Sequence, residues 1–152
     1  MIYLICGTPG TGKTTYAKKL SKENDAVLYS LDDQMHERYG ENHECDLSIR
    51  EYATKYELLL TVIDHVKAGK NVILDYGFFK NKERKWYREL AARFGVGSEL
   101  HFVTTEYDVQ LGRVLKRNKE EKNVHEIDKE ILDYLLTLFE VPEDEDLITV
   151  RT

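Results

Sequence analysis

An open, doubly wound α/β sheet is the fold class this sequence predicts. Three observations predict it: five short apolar runs of β-forming residues, longer helical patterns that separate them, and glycines that punctuate the joins. The runs are Ile2 to Cys6 (IYLIC), Ala26 to Tyr29 (AVLY), Asn71 to Leu74 (NVIL), Glu99 to Val103 (ELHFV) and Leu147 to Val150 (LITV). They are short and close to continuously apolar, the pattern of parallel strands covered on both faces by helices. The order βαβαβαβααβ puts such strands in one five-stranded sheet, with ligands expected at the carboxyl ends.

The first helix follows Gly12. After the second strand, Ser30-Leu31-Asp32-Asp33 leads into a helical turn through Gln34 to Tyr39. In the longest helix, Ser48 with Glu51 reads as a capping box and Gly69 as the stop. Between them Ile49, Tyr52, Ala53, Tyr56, Leu59, Leu60, Ile63 and Val66 keep helical spacing and supply its apolar face. A further helix spans Asn81 to Phe94, with Trp86, Leu90 and Phe94 at four-residue steps before Gly95. The next begins near Asp108, with Leu111, Val114 and Leu115 on one side and Arg113 and Arg117 on the other. The last begins near Asp128, with Ile131, Leu135, Leu138 and Phe139 on one face. The acidic run Glu143 to Asp146 reads as a solvated turn.

Composition bounds the partners. The 152 residues suit a single domain over 1–152, and 41% hydrophobic content supports a core without disulfides. Lys plus Arg number 22 and Asp plus Glu 28, for a net charge of −6. That field disfavours general binding to long nucleic acids or to an anionic membrane face. Only Cys6 and Cys45 occur, too few for a disulfide framework or an all-cysteine zinc site. The apolar runs fall far short of the roughly 18 residues of a membrane span, and MIYLICGTPG lacks a basic leader region. The expectation is a soluble, cytoplasmic protein.

The chemistry is announced directly after the first strand. Gly7-Thr8-Pro9-Gly10-Thr11-Gly12-Lys13-Thr14 completes the pattern G-x-x-x-x-G-K-[ST], with Thr15 next, in front of a helix. Glycines let backbone N–H groups turn inward around phosphate oxygens, Lys13 reaches the β and γ phosphates, and Thr14 can ligate Mg²⁺ at a helix N-terminus. The expected fold class is therefore a P-loop NTPase, and its layout of strands and helices resembles that of nucleoside monophosphate kinases. Asp75, closing Val72-Ile73-Leu74-Asp75, is the matching carboxylate for the metal. No Glu follows it, no N-K-x-D occurs, and the glycine spacing is wrong for a dinucleotide fold. The histidines share no metal-ligand spacing, and no serine lies in a nucleophile elbow.

A kinase needs a base beside the phosphate loop, and Asp32 stands where the second strand ends. Asp33 is its capping neighbour, and Arg38 a contact for the acceptor. Cations must also offset charge on the transferring group. Arg113 and Arg117 supply them, and the charged segment over about 118–127 reads as a short lid. Arg84, a turn past Asp75, reads as reaching the acceptor pocket, with Tyr76, Phe78 and Phe79 as its floor or as core.

These motifs resemble the small P-loop kinases allied to zeta toxins, chloramphenicol phosphotransferases and polynucleotide 5′-kinases. The likeness runs through Gly7 to Thr14, Ser30 to Asp33, Val72 to Phe78 with Arg84 behind, Arg113 to Asn118, and Phe139 to Glu145. It implies a Mg²⁺-dependent ATP phosphotransferase with ATP and Mg²⁺ as its cofactors. The acid matching Asp32 would be the base and the arginine matching Arg117 a phosphate contact. Polynucleotide kinases carry an arginine three residues after the base, whereas this chain has Met35. A small-molecule hydroxyl is thus the expected acceptor. Nucleic-acid 5′-phosphorylation and a non-catalytic ATP-binding switch are the alternatives. The oligomeric state is left open by the sequence.

Overall fold

The computed structural model describes residues 1–40, 46–120, 126–143 and 145–152. Five parallel strands form one sheet in the order β2-β3-β1-β4-β5. They are β1 (Ile2–Cys6), β2 (Ala26–Ser30), β3 (Asn71–Gly77), β4 (Ser98–Thr104) and β5 (Ile148–Arg151). Connecting them are α1 (Lys13–Glu23), α2 (Leu31–Tyr39), α3 (Leu47–Lys67), α4 (Asn81–Arg93), α5 (Tyr107–Glu120) and α6 (Lys129–Leu138). Side chains of β1 alternate between two cores. Ile2, Leu4 and Cys6 meet Leu58, Val62 and Val66 of α3 and Tyr87 and Ala91 of α4, whereas Tyr3 and Ile5 meet Ala17 and Leu20 of α1. Helices thus cover both faces, as the apolar runs require.

Strands β2, β3 and β4 run longer than expected, and in β3 this moves a site residue. β3 continues to Gly77, so Asp75 lies inside the strand, in register with Ile5 and Ser30. A register shift between Ile5 and Cys6 then pairs Cys6 with Gly77. β5 departs from the expectation of full cover: it is an edge strand, and Ile148 is exposed. No described helix is long and apolar enough to cross a membrane. Of the expected lid, 118–120 finish α5 as helix, and 121–125 lie outside the described residues.

Several helices bury a face other than the one their apolar spacing indicated. In α3 the core takes Arg50, Thr54, Leu58, Val62 and Val66, while Ile49, Tyr52, Tyr56 and Leu60 face out. The Ser48–Glu51 capping box does not form; Asp46 caps the helix instead and accepts the Ser48 N–H at 2.8 Å. In α4 the core takes Arg84, Tyr87 and Ala91 and leaves Trp86 and Phe94 outside. In α6 it takes Leu132 and leaves Ile131 and Leu138 exposed, and Leu115 of α5 is likewise exposed. Each residue of offset turns a helix by about 100°, so a one- or two-residue change of frame swaps faces. The frame is set by where the preceding loop delivers the chain.

Arg84 and the acidic run correct each other. Arg84 is fully buried and does not reach an acceptor pocket. Its Nε and Nη2 donate to the Glu145 carboxylate at 3.0 and 2.7 Å, and Nη1 donates to the Phe78 carbonyl at 2.9 Å. Glu145 is correspondingly not a solvated turn residue. A bidentate pair of this kind offsets the cost of burying two charges, and removing one partner strands the other. Arg84→Ala is therefore expected to lower unfolding free energy by about 3–5 kcal/mol in urea titration, and Arg84→Met with Glu145→Leu to restore most of it.

Candidate active site

The carboxyl ends of β1, β2 and β3 converge, and the loop from Gly7 to Gly12 wraps out of β1 between them. Its tightness explains its glycines. A Cβ on Gly7 would lie 2.4 Å from the Val103 carbonyl oxygen, and one on Gly10 would lie 2.7 Å from Val114 Cγ2. Both also hold positive φ, at 148° and 81°, where side chains are strained. Gly12 is the N-cap of α1 and no side chain caps that end, which leaves the first-turn N–H groups directed at the loop.

Side chains brace the loop from several directions. Thr11 Oγ1 donates to the Thr8 carbonyl at 2.9 Å, and the Gly7 N–H donates to the Gly77 carbonyl at 3.0 Å. Gln110 of α5, which sequence reasoning missed, is buried and donates to Thr8 Oγ1 at 2.7 Å and to the Pro9 carbonyl at 2.6 Å. Thr152, also missed, donates through Oγ1 to the Thr11 carbonyl at 3.0 Å and accepts from Arg113 Nη1 at 2.7 Å. A signal for Gln110 was present: Gln110, Val114 and Arg117 sit at i, i+4 and i+7 and so share one helix face. Pro9 is half-buried and Thr15 is exposed.

Four ionisable groups meet above the sheet. Lys13 Nζ donates to the Thr8 carbonyl at 3.0 Å. Burial holds the Lys13 ammonium below its usual pKa, against the pull of Asp75 and Asp32, while Arg117 pushes the same way as burial. Thr14 Oγ1 donates to Asp75 Oδ2 at 2.8 Å. Burial raises the Asp75 carboxyl, Lys13 and Thr14 oppose that, and Asp32 and Asp33 add to it. Asp32 itself is exposed on the first turn of α2, which Ser30 caps by accepting the Asp33 N–H at 3.3 Å. Arg117 is half-buried, and its buried Nε has no hydrogen-bond partner among the described residues. Cys6, beneath the loop, is buried and its thiol is pushed up to about 12, so it carries no thiolate chemistry.

The structure therefore brings Lys13, Thr14, Asp75, Asp32 and Arg117 into one field, with Arg113 joined to the loop through Thr152. Thr14 and Asp75 present a hydroxyl and a carboxylate, hard oxygen donors that suit Mg²⁺ bound jointly with phosphate and water. Among the described residues no cluster of three or more His, Cys, Asp or Glu could hold a metal alone. Tyr76 and Phe78 are buried in the core and do not floor a pocket, whereas Phe79 is half-buried and packs edge-on against Phe139. Arg38 pairs with Glu57 of α3.

A family model described as an AAA domain (AAA_33) matches residues 2–142. The chain belongs to this family of P-loop proteins. Adenylate kinase of Helicobacter pylori (strain ATCC 700392 / 26695) is 29% identical over 92 residues, 55% of this chain and 48% of the relative. The match thus spans about half the length of that curated relative. Among solved structures, a provisionally assigned kinase from Chloroflexus aurantiacus J-10-fl superposes with a TM-score of 0.80 at 18% identity, covering 99% of this chain and 87% of the other. Chaetomium thermophilum Kti12 in complex with ADP-AlF3 superposes with a TM-score of 0.75 at 19% identity, covering 99% and 89%. At these identities the superpositions establish a shared fold, the five-stranded parallel P-loop architecture of this AAA-domain family member.

Two outcomes follow from the geometry. Gln110→Ala removes both donors that hold Thr8 and Pro9, and ATP affinity measured by calorimetry is expected to fall about tenfold, the loss of roughly one or two hydrogen bonds. Asp75 is a carboxylate whose ionisation burial opposes, so above its raised pKa it works against stability in the ligand-free protein. Asp75→Asn is expected to raise the melting temperature at pH 7. The gain should vanish as pH falls below the ordinary carboxylate range, and Mg²⁺-dependent ATP binding should be lost.

Proposed function

We propose that this chain is a Mg²⁺-dependent ATP phosphotransferase that transfers the γ-phosphate to a hydroxyl of a small-molecule acceptor. The observation that carries this reading is Asp32, an exposed carboxylate whose charge both Lys13 and Asp75 feel. An ATP-binding switch has no use for a free acid at that place, whereas transfer needs one. Asp32 takes the proton of the acceptor hydroxyl as its oxygen forms the bond to phosphorus. The bond to the bridging oxygen breaks and ADP leaves. Lys13 and Arg117 stabilise charge on the transferring group, with the unpartnered Arg117 Nε free to donate to it. Thr14 and Asp75 would hold Mg²⁺, which would supply positive charge against that of the phosphates. The loop from Gly7 to Thr14 cradles the phosphates. Arg113, beside Gly12, lies on the nucleotide side, and the segment over about 118–127 serves as the lid.

The surroundings of Asp32 support a small, neutral or cationic acceptor. Asp33 and Glu51 lie close by, and burial raises the Glu51 carboxyl, with Asp32 and Glu83 adding to the effect against Lys55 and Arg50. The nearby cations are occupied, Lys55 by Glu83 at 2.7 Å and Arg38 by Glu57. Glu41 and Glu44 follow Asp32 closely in sequence and lie outside the described residues. Met35 packs against the core, so no arginine stands there for a nucleic-acid phosphate. These features favour, within the resemblance drawn from sequence, the branch that acts on small molecules such as the chloramphenicol phosphotransferases.

The test is transfer of labelled phosphate from ATP to parallel panels of nucleosides, sugars, aminoglycoside-type amines and 5′-hydroxyl oligonucleotides. Labelling within the small-molecule panels is the expected result; efficient labelling of oligonucleotides with a steep salt slope would overturn it. Asp32→Asn is expected to cut transfer roughly 10²-fold or more with ATP affinity intact, and an unchanged rate would move the base elsewhere.

A further inference from the structure

Helix α3 carries two apolar faces. One is the core stripe of Arg50, Thr54, Leu58, Val62 and Val66. Opposite it stand Ile49 at 58% exposure, Tyr52 at 73%, Tyr56 at 63% and Leu60 at 65%, continued by half-buried Ile63. Positions 49, 52, 56, 60 and 63 follow one another in steps of three or four residues. That repeat is the seam spacing of a helix packed lengthwise against another helix.

The arrangement is symmetric about Tyr56. Ile49 and Ile63 stand seven residues to either side, and Tyr52 and Leu60 stand four to either side. An antiparallel copy of the helix, related by a two-fold axis at Tyr56, would set Ile49 against Ile63, Tyr52 against Leu60, and Tyr56 against itself. This is the self-complementarity an isologous contact needs. From these considerations we infer that the outer face of α3 is a two-fold interface with a second copy of this chain.

Charge and area agree with that occupant. Two copies each at −6 repel, so a shared face must be free of uncompensated charge near its centre. The stripe itself is uncharged. The charges flanking its middle are neutralised within the protomer, Lys55 by Glu83 and Glu57 by Arg38. With roughly 200 Å² for a tyrosine side chain, the two rings alone present on the order of 270 Å², and Ile49 and Leu60 bring the stripe to about 500 Å². That matches the largest patch a monomer ordinarily exposes. Doubled across a two-fold it gives on the order of 1,000 Å², the lower bound for a specific interface. A contact of this size makes a reversible dimer, so dissociation is expected within a practical range of concentrations.

Sedimentation velocity on the full chain from about 1 to several hundred µM is the first measurement. The expected result is a concentration-dependent rise from monomer to dimer, with Tyr56→Glu and Leu60→Glu staying monomeric at every concentration and ATP binding unchanged. The second measurement remains decisive if those variants misfold by circular dichroism. In a Cys45→Ser background, Tyr56→Cys sits on the two-fold axis and should form an intermolecular disulfide on mild oxidation. Lys19→Cys on α1, exposed and distant from the seam, should not. A wild-type chain that stays monomeric throughout overturns the inference and leaves the stripe to a partner of another kind. So does a dimer that persists in folded Tyr56→Glu, or equal cross-linking at positions 56 and 19.

Discussion

A carboxylate held out of water beneath a phosphate loop is the constraint on which the rest of this structure depends. Asp75 is buried inside β3, and its ionisation is opposed by that burial. It is tolerable because Thr14 donates to it and Lys13 lies within its field. Those two residues are adjacent in sequence and open α1, so satisfying Asp75 fixes where α1 begins. The loop between β1 and α1 must then close within a few residues, and it does so through positive φ angles and contacts too close for a Cβ. Ligand-free, the arrangement is costly. A metal and a triphosphate would supply the missing positive and negative partners, so the site is tuned to its occupied state at the expense of its empty one.

The loop is braced from behind by elements far away in sequence. Gln110 fastens Thr8 and Pro9 to α5, Thr152 fastens Thr11 to the strand edge and to Arg113, and the Gly77 carbonyl fastens Gly7 to β3. The same face of α5 that carries Gln110 carries Val114 against Gly10 and, one turn on, Arg117. One helix therefore both shapes the phosphate loop and presents the cation above it. Asn118 then ties its side chain to Ile127 in both directions, at 2.8 and 3.2 Å, which joins the chain across residues 121–125. Positioning by a braced scaffold, rather than by the loop's own residues, holds these side chains to the narrow tolerance that phosphoryl transfer would demand.

The opposite flank of the sheet is stabilised in a different manner. Arg84 and Glu145 join α4 to the segment before β5, and through the Phe78 carbonyl they hold the exit of β3, where Phe78 adopts a positive φ of 46°. Cys6 Sγ lies 3.6 Å from that same carbonyl oxygen. The exit of β3 is thus fixed by a buried ion pair on one side and by the phosphate loop on the other. This leaves α2 and the N-terminal half of α3, which carry Asp32 and Glu51, as the elements whose placement sets the proposed acceptor side.

Much of this was legible in the chain. Parallel strands declare themselves by continuous apolar runs, and the phosphate loop by a spacing that few other structures require, so the sheet, the loop, Thr14 and Asp75 could be read without coordinates. These are local properties: backbone geometry and burial act on neighbouring residues. Helix facing was not legible, because α3, α4 and α6 each carry apolar residues on more than one side and only the tertiary frame selects which side meets the sheet. The same holds for Arg84 and Glu145, which look like surface charges until a fold brings residues 61 positions apart into one dry pocket. Thr152 belongs to this class too, since a polar side chain bonded to a loop 141 residues away leaves no periodic trace, whereas Gln110 shared a helix face with Val114 and Arg117 that spacing alone could show. Local chemistry, fixed by bond geometry and spacing, belonged to the sequence alone; which buried polar groups found each other was decided only when the chain packed, because desolvation acts on contacts and not on composition.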